Sequence, residues 1–187
     1  QRVEAMQAAR KADQEQRQQQ ARSEAARRWE AAAPATANDY LLRKGVKPHG
    51  ARVEGYSLLV PMHLTEGGTL QSLQLIDPTG GKRFLPGGRV KGCFCLIGER
   101  DEIEAGAELV ICEGFATGAS IREATGYPVA VAFNAGNLEA VALALRSKYP
   151  GARLILAADD DWRTEGNPGM TKAQAAAQAV GARLAVP

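Results

Sequence analysis

Leu109-Val110-Ile111-Cys112-Glu113-Gly114-Phe115-Ala116-Thr117-Gly118 is the stretch on which the fold turns. A short apolar run closed by a glycine turn reads as a buried strand. It therefore delivers Glu113 at its C-terminal end. A second run, Leu154-Ile155-Leu156, is followed in the same way by Asp159-Asp160-Asp161. Open α/β sheets keep their ligand crevice at the carboxyl ends of the strands, so two strand ends bring carboxylates to one edge. Carboxylates placed together raise one another's pKa unless a cation sits between them. Mg²⁺ suits that role, because it binds through a few oxygens and keeps several waters. Such an edge serves phosphoryl-transfer and phosphodiester chemistry. In the simpler alternative, Glu113 merely complements a helix dipole and the aspartates are caps or a solvated loop. Three consecutive acids after a buried strand are costly unless paired, which favours the cation.

Working outward, the pattern from Glu108 on alternates strand and helix: a helix over 115–124 stopped by Gly126, a strand over 129–133, a helix over 138–148 stopped by Pro150, a strand over 154–158, a helix over about 169–180 and a last strand. That alternation predicts a parallel sheet flanked by helices. Upstream, 55–97 reads as strands (Tyr56–Val60, Leu70–Ile76, Lys82–Leu85, Phe94–Ile97) separated by the turns Glu66-Gly67-Gly68, Asp77-Pro78-Thr79-Gly80-Gly81 and Pro86-Gly87-Gly88. This is a small antiparallel lobe. Asn38 caps a short helix that ends at Gly45. Residues 1–33 are good helix formers whose apolar positions form no stripe that a core would need, which predicts an exposed helix or tether broken by Pro34. The expected fold class is α/β, with an N-terminal helix or linker over 1–37, a small basic antiparallel α+β lobe over 38–105 and the parallel-sheet domain over 106–187.

The formal net charge of the 187 residues is only +2, so nucleic-acid binding requires a local patch. Three cysteines (Cys93, Cys95, Cys112) are too few for a zinc ribbon or a disulfide framework, and a reduced, cytoplasmic setting follows. Cys93-x-Cys95 has only His49 and His63 as further candidate ligands and reads as buried strand. No apolar run reaches the roughly 18 residues of a membrane span. The chain starts at Gln1 and reads as a fragment of a larger protein.

The ordered set of strand, Glu-Gly, helix, strand, small-residue turn, helix, strand and Asp-x-Asp resembles the Toprim fold of DnaG-type primases, topoisomerases and some nucleases. Glu-Gly-Phe-Ala-Thr-Gly is similar to the Glu-Gly-Tyr-Ala-Thr motif of primases from conjugative plasmids and satellite phages. Gly81-Lys82-Arg83-Phe84 and Lys91-Gly92 resemble the basic subdomain that precedes Toprim in that family. The likeness covers about residues 38–187.

This resemblance implies a DNA primase core that makes short RNA primers from NTPs on a single-stranded DNA template, with Mg²⁺ or Mn²⁺ as cofactor. It implies Asp159 and Asp161 as principal metal ligands, Glu113 as a further ligand or general base and Asp160 as a helper. Lys82, Arg83, Lys91, Asn134, Gly136 and Lys172 are the expected nucleotide or DNA contacts, and a helicase or other replication domain is the expected partner. A Toprim nuclease and an inactive DNA-binding or docking module are the alternatives; the upstream Lys-Arg-Phe and Lys-Gly motifs argue against the nuclease. The segment from Asp161 to Gly169 is longer than the family's turn and leaves open whether Gly166 or Gly169 fills its glycine position. Trp162 reads as a partly buried anchor, with stacking on a base as the alternative.

Overall fold

The computed structural model describes residues 1–65 and 67–186; the first position of the expected Glu66-Gly67-Gly68 turn lies outside the described residues. Helix α1 (Arg2–Ala31) leads through β1 (Ala33–Pro34) to α2 (Asp39–Lys44). It is followed by β2 (Arg52–Glu54), β3 (Ser57–His63), β4 (Leu70–Ile76) and β5 (Lys82–Phe84). These strands form an antiparallel sheet in the order β1-β2-β3-β4-β5. The expected capping of α2 is present: Asn38 accepts from the Tyr40 N–H at 3.0 Å, and Gly45 takes the left-handed conformation at φ 66°.

The second sheet contains β6 (Cys95–Ile97), β7 (Glu108–Cys112), β8 (Val129–Val131), β9 (Arg153–Ala157) and β10 (Arg183–Ala185). Its order is β10-β9-β7-β8-β6, parallel throughout except that β6 runs antiparallel to β8. Helices α3 (Phe115–Thr125), α4 (Leu138–Lys148) and α5 (Pro168–Val180) are the connections. The strand over 94–97, expected in the antiparallel lobe, thus closes the edge of the parallel-containing sheet. Its apolar residues do not reveal which sheet they will pair with.

Alternation along each strand decides which layer it meets. On β7, Val110 and Cys112 face one core with Phe115 and Ala119 of α3, whereas Leu109 and Ile111 face another with Leu138, Val141 and Leu145 of α4 and Ala173 and Ala176 of α5. The first of these cores also takes Leu58, Val60, Met62 and Ile76 from the antiparallel sheet, so the two lobes share one apolar seam.

The far face of the antiparallel sheet is covered by α1, against the expectation of a free tether. Ala25 is fully buried and packs with Ala32, Leu59, Leu73, Leu75 and Leu85, and Trp29 rests on the same cluster. The stripe was hidden because small residues, Ala21 and Ala25, form it. Polar contacts lock this end: Arg28 Nε donates to Glu54 Oε1 at 3.0 Å, Arg52 donates to the Trp29 carbonyl at 2.6 Å, and the Arg52 guanidinium lies 4.8 Å above the Trp29 ring. The part of α1 before Ala21 is almost entirely exposed.

Candidate active site

Glu113 and Asp159 leave β7 and β9, neighbouring parallel strands, at the same edge. Backbone register places them there, because Ile111 pairs with Leu156 and both chains then leave the sheet. Glu113 is half-buried and its carboxyl is pushed up to about 7. Burial is the main cause, followed by the charges of Asp159 and Asp161, and is opposed by an Ala135 backbone N–H and by Lys82. Glu113 Oε1 is buried without a hydrogen-bond partner. Asp159 is raised for the same reasons, burial first and then Asp161, and Lys82 again opposes.

The antiparallel lobe supplies the cations. A cavity of about 350 Å³ is lined by Arg43 and Lys44 from the end of α2, Lys82 from β5, Gly114 and Thr117 at the start of α3, and Asp159. Its wall includes Thr79 and Gly80, held by a turn in which Asp77 Oδ1 accepts from the Thr79 N–H at 2.8 Å and the Gly81 N–H at 2.9 Å. A Cβ at Gly114 would stand 3.5 Å from Lys82 Nζ, so the ammonium closes directly over the Glu-Gly turn.

The expected site residues divide. Lys82 and Asp159 share the cavity. Arg83 does not join them: strand alternation turns it to the opposite face, where its register partner Leu75 packs under α1. Lys91 lines a different groove, with Lys11, Gln14 and Gln18 of α1. The loop holding Asn134 and Gly136 does reach the acidic edge, through the Ala135 N–H on Glu113. Asp160 accepts a hydrogen bond from Asn167 Nδ2 at 2.7 Å, and Lys172 stands exposed on α5.

Among the described residues no three His, Cys, Asp or Glu side chains gather closely enough to hold one ion together. Glu113, Asp159 and Asp161 share a field rather than a cage, as like charges do. The donor set still fits Mg²⁺, which needs only one or two carboxylates beside its waters; the orphaned Glu113 oxygen and a negative potential that Lys82 only partly offsets are where a cation is wanted.

Of the two candidate glycines, the packing requires Gly169. A Cβ there would overlap the Asp159 carbonyl oxygen and stand 2.9 Å from Asp161 Oδ2, whereas Gly166 faces open space. Trp162, expected to be partly buried, is 69 % exposed. Sequence reasoning missed Arg43 and Lys44, whose place in the last turn of a helix is accounted for by its dipole. It also missed the work of Asn137. Its buried amide donates to the Cys93 and Ala132 carbonyls at 2.8 Å and accepts from the Gly92 N–H at 2.7 Å, tying the loop before β6 to the end of β8. The three thiols are buried and free, and burial raises all of their pKa values.

The model of the Toprim domain matches residues 108–187, which include the acidic carboxyl edge of the sheet. This C-terminal part of the chain carries the Toprim domain. It is similar to two proteins of Escherichia coli, each described as DNA primase TraC: 41% identical over 155 residues to one and 42% over 155 residues to the other, with 79% of this chain aligned in both cases. It spans only 14% and 11% of the length of those relatives. A solved structure of the DnaG catalytic core aligns with 83% of this chain and 56% of its own, at a TM-score of 0.48 and 14% identity. Toprim domains are metal-dependent, generally on Mg²⁺. Among the described residues no helix is long and apolar enough to cross a membrane.

Proposed function

We propose that this chain is the catalytic core of a DNA primase, joining NTPs into short RNA primers on a single-stranded DNA template in the cytoplasm. One observation carries the reading: a single cavity sets Arg43, Lys44 and Lys82 of one lobe against Asp159 of the other, beside Glu113. A nucleotidyl-transfer site must hold a polyanion next to carboxylates that would otherwise repel it. Three cations on the facing wall resolve that conflict.

In this reading the triphosphate lies along Arg43, Lys44 and Lys82, which hold its charge and orient the α-phosphorus toward the acidic edge. The primer 3′-hydroxyl oxygen attacks that phosphorus, the bond to the bridging oxygen breaks, and pyrophosphate departs toward the cations. Glu113, pushed up to about 7, is suited to accept the hydroxyl proton near neutral pH. Mg²⁺ or Mn²⁺ would be held by Asp159 and Asp161 beside its waters, with Glu113 as a further ligand or the base and Asp160 behind them, and would supply activation of the attacking oxygen and charge neutralisation on the leaving group. Asn134 and Gly136, on the loop that reaches Glu113, and Lys172, exposed on α5, are in this reading contacts to the nucleotide or template, whereas Arg83 and Lys91 lie away from the cavity. A helicase or another replication domain of the full-length protein is the expected partner.

The test is incubation with single-stranded DNA, Mg²⁺ and labelled NTPs. Short RNA products are expected from the wild type and none from the folded Asp159→Asn/Asp161→Asn double variant. Synthesis by that variant at the wild-type rate overturns the assignment.

A further inference from the structure

The loop between β9 and α5 carries an indole that nothing above uses. Trp162 follows Asp161 directly, is 69 % exposed and has the Arg163 guanidinium 4.8 Å from its ring centroid. So large an aromatic face, left open directly after Asp161, is a surface on which a flat ring can lie.

The loop holds the ring in a defined place. Thr164 N–H donates to the Asp161 carbonyl at 2.7 Å, Asn167 N–H donates to the Thr164 carbonyl at 3.0 Å, and Thr171 Oγ1 donates to the Gly166 carbonyl at 2.8 Å. Asn167 Nδ2 bonds Asp160 as well. These consecutive turns are anchored on α5, whose start is pressed against Asp159 through Gly169. A ring presented on such turns loses little conformational freedom on binding.

Charge selects the partner. The segment holds Asp160, Asp161 and Glu165 against Arg163 alone, so phosphates are repelled while the face of a neutral base is not. Arg163 occupies one side of the indole as a cation–π partner, and most of the ring remains open to solvent. We infer that Trp162 is a stacking platform for an unpaired base of single-stranded DNA, next to the acidic edge of the site. The strand invoked rests on the primase reading, but the contact is a binding contact and is measured without catalysis.

The experiment follows binding of a fluorescently labelled oligo(dT) to the 187-residue chain by anisotropy, and tryptophan quenching by the unlabelled oligonucleotide. Variants are Trp162→Ala and Trp162→Phe. Base–aromatic stacking predicts roughly a tenfold loss of affinity for Trp162→Ala, with an unchanged salt slope because no phosphate contact is removed. Trp162→Phe should restore most of the affinity and abolish the quench, since Trp29, the other tryptophan, lies under the antiparallel sheet. Wild-type affinity in Trp162→Ala overturns the proposal and makes the ring a protein-docking feature. A quench that persists in Trp162→Phe overturns it as well. Saturation of the quench by UTP alone, with nothing added by oligo(dT), assigns the base to a nucleotide and overturns the template contact. These outcomes leave primer synthesis untouched, whereas absence of RNA product from the wild type strikes the primase reading and not the stacking.

Discussion

Lys82 and Asp159 line one cavity from opposite sheets, and the ammonium of the first offsets the burial and repulsion that raise the carboxyl of the second. The strand partner that brings Lys82 there also turns Arg83 away, since Arg83 pairs with Leu75 on the face under α1. The two neighbouring cations therefore separate by experiment. Lys82→Ala should weaken NTP binding about tenfold, in line with the loss of a charge-assisted hydrogen bond. Arg83→Ala should change it less than about twofold. Calorimetric titration of both variants with NTP is the check, and equal losses would mean that the cavity is not the triphosphate site.

Removing charge at the acidic edge should cost activity and add stability. In Asp159→Asn/Asp161→Asn, Glu113 loses the two like charges that raise its pKa, so the metal-free double variant should melt higher than the wild type at pH 8. The gain should shrink when Mg²⁺ is added, because the wild type then has the cation that relieves the same repulsion. Melting curves with EDTA and with Mg²⁺ measure both effects.

Glu113 also sets a pH dependence. Its carboxyl titrates near 4.5 when unfolded and at about 7 in the fold. The native state therefore holds the proton more tightly, and the stabilisation is complete below the unfolded value and lost as pH rises through about 7. Asp159 is shifted in the same direction. Without divalent cations the melting temperature should fall between pH 4.5 and 7.5, and Glu113→Gln should flatten that fall. A profile unchanged by the substitution would show that the carboxyl is not buried among charges as described.

Gly169→Ala places a methyl against the Asp159 carbonyl and near Asp161 Oδ2. The start of α5 must shift, and with it the two carboxylates that α5 helps to position. A loss of roughly 1–3 kcal/mol is expected from overpacking of this kind, together with a large drop in primer synthesis. Gly169→Ala should harm synthesis far more than substitutions on the exposed loop between Arg163 and Gly166. Denaturant unfolding and the primer assay test the two parts separately.

Truncations divide α1. Deleting residues 1–10, which are exposed, should leave the melting temperature nearly unchanged. Deleting 1–32 uncovers Leu59, Leu73, Leu75 and Leu85. Each such side chain returned to water costs up to about 1.5–3 kcal/mol, so the shorter chain should melt many degrees lower or fail to fold. Equal melting of both truncations would contradict the packing of Ala25 and Trp29.

The C-terminal strands and helices were legible from sequence because their signals are local: an apolar run, a glycine stop or a proline at a helix start fixes each element without reference to the rest of the chain. The acidic edge followed from the same logic, since a residue that ends a parallel strand must emerge at the carboxyl edge. Pairing partners, faces and small-residue packing were decided only in three dimensions. Cys95–Ile97 joined β8 rather than the antiparallel lobe. Arg83 turned from the site that its neighbour Lys82 entered. Arg43 and Lys44, far from Asp159 along the chain, closed the same cavity. Helix α1 buried Ala25 although no large apolar stripe announced it. Apolar burial has no direction along the chain: it records that a residue will leave water, whereas which surface receives it depends on the area and shape that the other elements leave open.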